Sequence, residues 1–126
     1  MVTTAKQSNL AKAEAYYSAV VSGDYDKMGS YLHSDVLYND QNWPVTGKDN
    51  VWPVARKFGA AIEHLEPTAI FSDDDQVMLV HDIHWKEAEK PMRTAVLLTF
   101  DEGLIKQIDF IGDPSQHMDV CREIFS

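Results

Sequence analysis

Hydrophobic residues recur every three or four positions through residues 6–22, and this spacing is typical of an amphipathic helix. Gly23 predicts the end of that helix, because glycine readily adopts the left-handed conformation of a helix C-terminus. Asp24 then predicts the cap of a second helix, which ends near Leu32. Residues 36–38 are an apolar, β-prone run and favour a short strand.

A third helical stripe runs from about residue 49 to Leu65. Pro53 falls in its first turn, where a missing N–H costs little, and Pro67 predicts its end. Beyond that point the period changes from 3.6 to 2, which indicates four strands, at about 68–72, 76–86, 92–100 and 104–111. The turns between these strands are short, so we expect neighbouring strands to be antiparallel.

Asp113-Pro114 predicts a last, short helix, since an aspartate cap is followed by proline at the first helical position. Helices that precede a run of strands are typical of the α+β class, in which helices pack on one face of an antiparallel sheet. We therefore expect a single domain over residues 1–126, with three N-terminal helices on the sheet and a short C-terminal helix. A length of 126 residues supports one core.

The hairpin between the second and third of these strands decides which side chains face the helices. If Glu87 to Lys90 form a four-residue loop, His81 pairs with Val96 and the more apolar face turns inward. That inward set is Val77, Leu79, His81, Ile83, Trp85, Thr94, Val96, Leu98 and Phe100. The opposite face is too apolar for a fully wet surface, which predicts a homodimer through it. A slip of one residue would instead bring Asp82 and His84 inside.

The net charge of −9 disfavours nucleic acid and anionic membranes as partners, because both attract clustered lysine and arginine. No apolar run reaches the ~20 residues of a membrane-spanning helix. Residues 1–15 lack the apolar core of a secretory signal, and the one cysteine, Cys121, cannot form an internal disulfide. These features favour the cytoplasm.

Four segments resemble a known superfamily: AYYSAVVSGD at 15–24, SDVLYND at 34–40, TGKDNV at 46–51 and LLTFDEGLI at 97–105. With the order of elements over about residues 8–113, they resemble the nuclear transport factor 2-like, or cystatin-like, superfamily, which includes ketosteroid isomerases and SnoaL-like polyketide cyclases. The resemblance implies a cone-shaped α+β fold, in which helices pack on a strongly curved sheet. It also implies a small apolar molecule bound inside the cone and no cofactor.

Three residues are candidates for catalysis. Asp40 stands where ketosteroid isomerases place a general-base aspartate, and Tyr16 where they place a tyrosine that donates to the substrate oxygen. Val96 replaces that family's protonated aspartate, and Phe110 falls near the acid of SnoaL-like cyclases. His81 faces inward across from Val96 in the register above, so its imidazole could replace the missing donor or pair with Asp40. The alternative is a core histidine that a tyrosine hydroxyl satisfies.

The walls of the cavity are expected to be aromatic and aliphatic. The predicted substrate-binding residues are Tyr17, Trp52, Phe58, Ile62, Trp85, Val96 and Phe110. The alternative is that these side chains fill the interior, that Asp40 caps a turn, and that Tyr16 is a packed tyrosine. His81 and His84 point to opposite faces of one strand, so we expect no metal site.

The first functional hypothesis is an isomerase, cyclase or dehydratase that moves a proton on an apolar carbonyl compound without a cofactor. Asp40 would take the proton, and Tyr16 with His81 would stabilise the enolate. A second hypothesis is a non-catalytic module that holds an apolar ligand. A third is an assembly module whose interior is filled by its own aromatic side chains. The sequence names no substrate.

Overall fold

The computed structural model describes residues 8–40, 42–113, 115 and 117–125. Four helices occur in these ranges: α1 Asn9–Ser22, α2 Tyr25–Ser30, α3 Lys48–Ala61 and α4 Met118–Ile124. Six strands accompany them: β1 Leu32–Asn39, β2 Val45–Thr46, β3 Ile62–Asp73, β4 Gln76–Trp85, β5 Met92–Asp101 and β6 Leu104–Gly112. Residues 6 and 7 of the predicted first helix, and Pro114 of the predicted last one, lie outside the described residues.

Short capping interactions fix the first two helices where the sequence predicts them. The Ser8 side chain accepts a hydrogen bond from the Ala11 N–H at 3.1 Å and caps α1. Gly23 ends α1 with a φ of 81°, a left-handed conformation that glycine adopts without a steric penalty. Asp24 caps α2 by accepting from the Lys27 N–H at 3.3 Å. The buried residues of α1 lie on the side that contacts β3 and β4 of the sheet.

The third helix ends earlier than the sequence predicts. α3 stops at Ala61, and β3 starts directly at Ile62. Ile62 and Leu65 continue the helical spacing, but they pair with Trp85 and Ile83 of β4. A short apolar run fits either a helix or a strand, and the long neighbouring strand supplies the hydrogen bonds that favour the strand.

The six strands form one mixed sheet in the order β2-β1-β6-β5-β4-β3. β3 to β6 form the antiparallel meander that the short turns predict. β1 pairs with β6 in parallel, and the two-residue β2, which the sequence did not predict, pairs antiparallel with β1. Register shifts in three of the strand pairs bend the strands, so the sheet curves around the helices without closing.

The β4–β5 hairpin is two residues out of the predicted register. His81 lies opposite Thr94, and Leu79 takes the place opposite Val96. The cause lies at the turn, where the Lys86 N–H donates to the last carbonyl of α3 at 3.0 Å instead of pairing with β5. A shift of two residues preserves the faces of a strand, so the predicted inward residues are buried and the predicted outer residues are half-buried.

The core lies between the helices and the inner face of the sheet. A larger cluster joins the first three helices to the middle of the sheet. A smaller cluster around Ile62 and Trp85 joins the end of α3 to α4. Among the helices in the described ranges, none has the length and apolar character needed to cross a membrane.

Candidate functional site

A cavity of about 300 Å³ opens between α1, α3, α4 and the inner face of the sheet. Its polar lining residues are few: Asp40, Asn42, Tyr16, Tyr17 and Tyr38. Apolar and sulfur-containing side chains form the rest of the wall, among them Trp43, Val51, Val54, Ala55, Phe58, Trp85, Met92, Ile108, Phe110, Cys121, Ile124 and Phe125. We refer to this space as the Asp40 cavity.

Asp40 follows directly after β1 and is held by its own turn. One carboxylate oxygen, Oδ1, accepts from the backbone N–H groups of Asn42 at 2.6 Å and Trp43 at 3.3 Å. The other, Oδ2, accepts from the Tyr38 hydroxyl at 2.9 Å. This is the turn cap that an aspartate in a loop commonly forms. The same carboxylate also lines the cavity, so the structural and the functional interpretation of Asp40 apply together.

Tyr16 projects from the buried face of α1 into the wall of the same cavity and is 3% exposed. Its hydroxyl has no hydrogen-bond partner within the described part of the chain. Burial raises the pKa of the Tyr16 phenol, because a phenolate would be poorly solvated there. The hydroxyl therefore keeps its proton at neutral pH and is available to donate a hydrogen bond to a ligand. Tyr17 packs edge-on against it, with ring centroids 4.9 Å apart.

Tyr38 is a site residue that the sequence reasoning missed. It lies on β1 two residues before Asp40, and successive odd or even positions of a strand face the same side. Burial raises the pKa of Tyr38, and the neighbouring Asp40 raises it further. Tyr38 therefore acts as a hydrogen-bond donor that fixes one oxygen of Asp40. A tyrosine two residues before a carboxylate at a strand end was the available signal.

Trp43 and Phe125 close one side of the cavity and were also missed. Their rings stack with centroids 5.0 Å apart and an interplanar angle of 3°, and Phe125 also lies 5.5 Å from the ring of Tyr38. Cys121 precedes Phe125 by one helical turn, and burial together with the nearby Asp40 raises the pKa of its thiol. No local pattern predicts that a loop after β1 and the C-terminal helix meet.

His81 does not lie in the Asp40 cavity, so the predicted pairing with Asp40 is wrong. It faces inward as predicted, but it lines a separate cleft between α1 and β3. Its imidazole packs against the ring of Tyr17, with centroids 5.2 Å apart. Burial lowers the pKa of His81, which leaves the ring neutral at neutral pH. More than one cavity lies along the inner face of the cone. Knowing that a side chain faces inward therefore does not specify which cavity it lines.

The other predicted lining residues divide into two groups. Those in the wall of the Asp40 cavity are Tyr17, Phe58, Trp85 and Phe110. Trp52 is not among them, because its indole N–H donates to the Tyr25 carbonyl at 2.9 Å and its ring stacks under the Arg56 guanidinium. Ile62 and Val96 are packed in the core instead.

Trp85 and His117 each carry a buried nitrogen without a hydrogen-bond partner among the described residues, and their ring centroids lie 6.5 Å apart. The described residues contain no group of three or more histidine, cysteine, aspartate or glutamate side chains that could hold a metal ion. The arrangement offers a carboxylate, phenols and apolar walls, and these suit acid–base chemistry on an apolar molecule.

Helices on a curved mixed sheet around an aromatic cavity define the nuclear transport factor 2-like, or cystatin-like, class of folds. The family model of the SnoaL-like domain matches residues 13–108, which is more than half of the chain. The chain therefore belongs to the SnoaL-like domain family. No curated protein sequence matches it.

Solved structures with this fold cover most of the chain. A nuclear transport factor 2-like protein of unknown function from Cytophaga hutchinsonii is 14% identical, with a TM-score of 0.77, over 92% of this chain and 99% of that one. A candidate ketosteroid isomerase from Kribbella flavida is 16% identical, with a TM-score of 0.70, over 83% and 77%. An LEH-like epoxide hydrolase from M. tuberculosis is 14% identical, with a TM-score of 0.73, over 91% and 90%. At these identities the likeness establishes the fold.

Proposed function

We propose that the chain is a small-molecule enzyme that transfers a proton on an apolar carbonyl compound without a cofactor. One observation carries the proposal: Asp40 and Tyr16, whose hydroxyl has no hydrogen-bond partner among the described residues, line the same, mostly apolar cavity. Membership of the SnoaL-like family supports this class of chemistry, since proteins of the same fold include a candidate ketosteroid isomerase.

In the proposed reaction Asp40 is the base. Its carboxylate accepts a proton from the carbon next to the substrate carbonyl, and the electron pair of that C–H bond forms an enolate. Tyr16 donates a hydrogen bond to the enolate oxygen, where the negative charge develops. Where a carbon–carbon double bond adjoins the deprotonated carbon, the enolate is a dienolate, and protonated Asp40 returns the proton to its far carbon while the double bond moves into conjugation with the carbonyl. This sequence completes an isomerisation with no other reactant.

The donors around Asp40 support its proposed role by fixing its orientation. Tyr38 holds one carboxylate oxygen, and the backbone N–H groups of Asn42 and Trp43 hold the other. Oδ1 uses both of its acceptor positions, whereas Oδ2 accepts only from Tyr38 among the described residues and retains a second position for a substrate proton. A base that does not need to reorient gives a larger rate advantage than a mobile one.

The size and charge of the site favour a compact, uncharged substrate. Ligand cavities commonly span ~300–1,000 Å³, and the volume here, about 300 Å³, is at the lower end. The aromatic wall favours a body of one or two rings. The net charge of −9 disfavours anionic compounds, which the field of the whole chain repels.

The experiment that tests this proposal follows proton transfer directly and needs no assigned pathway. Cyclic ketones and enones are incubated with the protein in D₂O, and deuterium uptake beside the carbonyl is followed by NMR. We expect Asp40→Asn to slow uptake about 100-fold or more, and Tyr16→Phe to slow it about 100- to 1,000-fold.

The control is Asp35→Asn, which removes an exposed carboxylate from the same strand, β1. This variant should exchange protons at the wild-type rate. If Asp40→Asn folds and exchanges protons as fast as wild type, the proposed base is wrong.

A non-catalytic ligand-binding module is the second candidate function. The observation that favours it is the turn around Asp40, whose three hydrogen bonds would be needed for structure alone. A cyclic ketone that raises the melting temperature, because it binds the native state, but gains no deuterium would support this candidate.

We also propose that the chain forms a homodimer through the outer face of the sheet. An apolar band crosses four strands there, and it consists of Phe71, Ala69, Met78, Val80, Ala95, Leu97 and Ile111. Phe71 is 65% exposed and Ile111 is 56% exposed. A contiguous apolar band of this kind is typical of an interface, and the same face of a second copy would match it.

A further inference from the structure

A second cavity, which we call the α1–β3 cleft, has a volume of about 510 Å³ and shares only Tyr17 with the Asp40 cavity. One wall is the face of α1 that carries Glu14 and Ser18, and the other is β3 around Thr68. Leu79 and His81 of β4 lie at its base. The proposed reaction needs no part of this cleft, and the proposed dimer face shares only Ala69 with its lining.

His81 is the polar group at the base of the cleft. It is 5% exposed, and its imidazole has no hydrogen-bond partner among the residues that the structure describes. Side chains that are this deeply buried are normally hydrogen-bonded. The Tyr17 ring packs against the imidazole, with centroids 5.2 Å apart. His81 is therefore a polar group without a hydrogen-bond partner in the described part of the chain, in the wall of an open cleft.

The strand that borders the cleft, β3, is irregular beside His81. Pro67 pairs with His81, but the next pair joins Ala69 to Val80, so Thr68 is an extra residue opposite β4. Such a bulge bends its strand away from regular pairing. Because Pro67 also lacks an N–H, the ladder is interrupted directly beside His81. The bulge therefore bends β3 beside His81, where this strand forms a wall of the cleft.

We propose that the α1–β3 cleft is a second small-molecule site, which binds a neutral compound with an apolar ring and a hydroxyl group that hydrogen-bonds to His81. A neutral imidazole has one donor nitrogen and one acceptor nitrogen. In the proposed complex the acceptor nitrogen faces the cleft, so the ligand hydroxyl donates the hydrogen bond. The apolar ring would pack on Leu79, Ile70 and the face of Tyr17.

Charge excludes an anionic ligand from the same cleft. Glu14 stands at its exposed rim, and the chain as a whole carries −9. A carboxylate or phosphate would meet this negative field and find no cationic side chain among the residues that line the cleft. The uncharged hydroxyl compound avoids this repulsion.

The proposal is independent of the proposed enzyme reaction. It requires no role for Asp40 or Tyr16, and Asp40→Asn should leave binding in the cleft unchanged. Loss of proton transfer in that variant and loss of binding in the cleft are therefore separate outcomes.

The test uses p-cresol as the probe and 4-methylanisole, its methyl ether, as the matched probe without an O–H. The ring signals of the histidines are followed by ¹H–¹³C NMR, and the His81 signal is assigned from its absence in His81→Phe. We expect p-cresol to shift the His81 signal in a saturable manner. The ether should bind about tenfold more weakly, since it loses one hydrogen bond.

Two variants block the cleft from opposite walls. Ser18→Trp on α1 and Thr68→Trp on β3 replace exposed residues of the lining, so either one can serve if the other fails to fold. Both should abolish the shift of the His81 signal. Ser30→Trp places the same side chain at an exposed position of α2 away from the cleft and should leave the shift intact.

Three results would overturn the proposal. The first is a His81 signal that p-cresol leaves in place while signals from the Asp40 cavity move. The second is an equal affinity of wild-type protein for p-cresol and its ether. The third is a shift of the His81 signal that persists in a folded Trp variant of the cleft.

Discussion

At the scale of the residue, Asp40 has two roles: its carboxylate caps a turn, and it is the proposed base. The sequence predicts both separately, because an aspartate in a loop caps turns and the resemblance places a base there. Its hydrogen bond from Tyr38 was not predicted, although the two residues stand two apart on one strand. Which neighbour satisfies a carboxylate depends on the side-chain rotamers, and spacing alone does not determine these.

His81 gives a prediction about pH. Burial lowers the pKa of its imidazole below the ordinary value of 6.5, and Tyr17 and Glu14 are the titratable side chains that share its cleft. As pH falls through 6.5, the unfolded chain binds a proton on this histidine before the folded chain does. Stability that is present above pH 6.5 is therefore lost as pH falls toward the lower, folded-state pKa.

The free energy of unfolding should be measured with urea at about pH 7.5 and about pH 5.5. We expect His81→Phe to lose less stability between these values than wild type does. His64→Gln replaces an exposed histidine of β3 and should keep the wild-type pH dependence. An unchanged pH dependence in His81→Phe would show that this histidine does not cause the loss.

At the scale of the element, the position of α3 depends on one close approach. Gly59 lies on the side of α3 that faces α1, and a Cβ there would overlap the Val20 carbonyl oxygen and crowd its Cγ1 atom. The obstacle is backbone, which cannot rotate away as a flexible side chain can. α3 carries Val51, Ala55 and Phe58 into or beside the Asp40 cavity, so this contact also sets one wall of the site.

Gly59→Ala should therefore destabilise the fold, although alanine is the better helix former. Overpacking of this kind typically costs about 1–3 kcal/mol, which exceeds the ~0.5–1 kcal/mol that alanine gains in a helix. Ala60→Gly at the exposed neighbouring position should lose only that smaller amount. Urea unfolding measures both variants, and a Gly59→Ala variant that is as stable as wild type would contradict the close approach.

The boundaries between elements show what the sequence could not predict at this scale. The caps at Gly23 and Asp24 are local, and the sequence predicts them because every contact lies within four residues. The end of α3 and the partner of β1 are not local. Ile62 leaves the helix because β4 pairs with it, and β1 joins β6 across about seventy residues of chain.

At the scale of the whole molecule, the order of helices and strands predicted the α+β class and the resemblance implied the cone-shaped fold; the family match and the structure confirm both. Two of the three predicted catalytic residues, Asp40 and Tyr16, line one cavity. The third, His81, contacts the ring of Tyr17, which in turn contacts the ring of Tyr16. Alternation along a strand predicts the face of a residue, but the bulge in β3 and the length of the cone decide which cavity it reaches.

The outer face of the sheet gives the prediction for the whole molecule. A lysine in the apolar band, introduced as Ile111→Lys or as Phe71→Lys, would bring a cation that has to be buried when two copies associate. We expect wild type to sediment as a dimer and both variants as monomers. Val21→Lys makes the same change at an exposed position of α1, away from the sheet face, and should remain a dimer.

The dependence of dimer affinity on ionic strength distinguishes this apolar interface from one held by ion pairs. Each copy carries −9, so two copies repel each other, and screening of that repulsion should make the wild-type dimer tighter as ionic strength rises. An interface held by ion pairs would weaken under the same conditions. Sedimentation at low and high salt distinguishes the two, and a wild-type protein that stays monomeric at both would mean that the apolar band does not serve self-association.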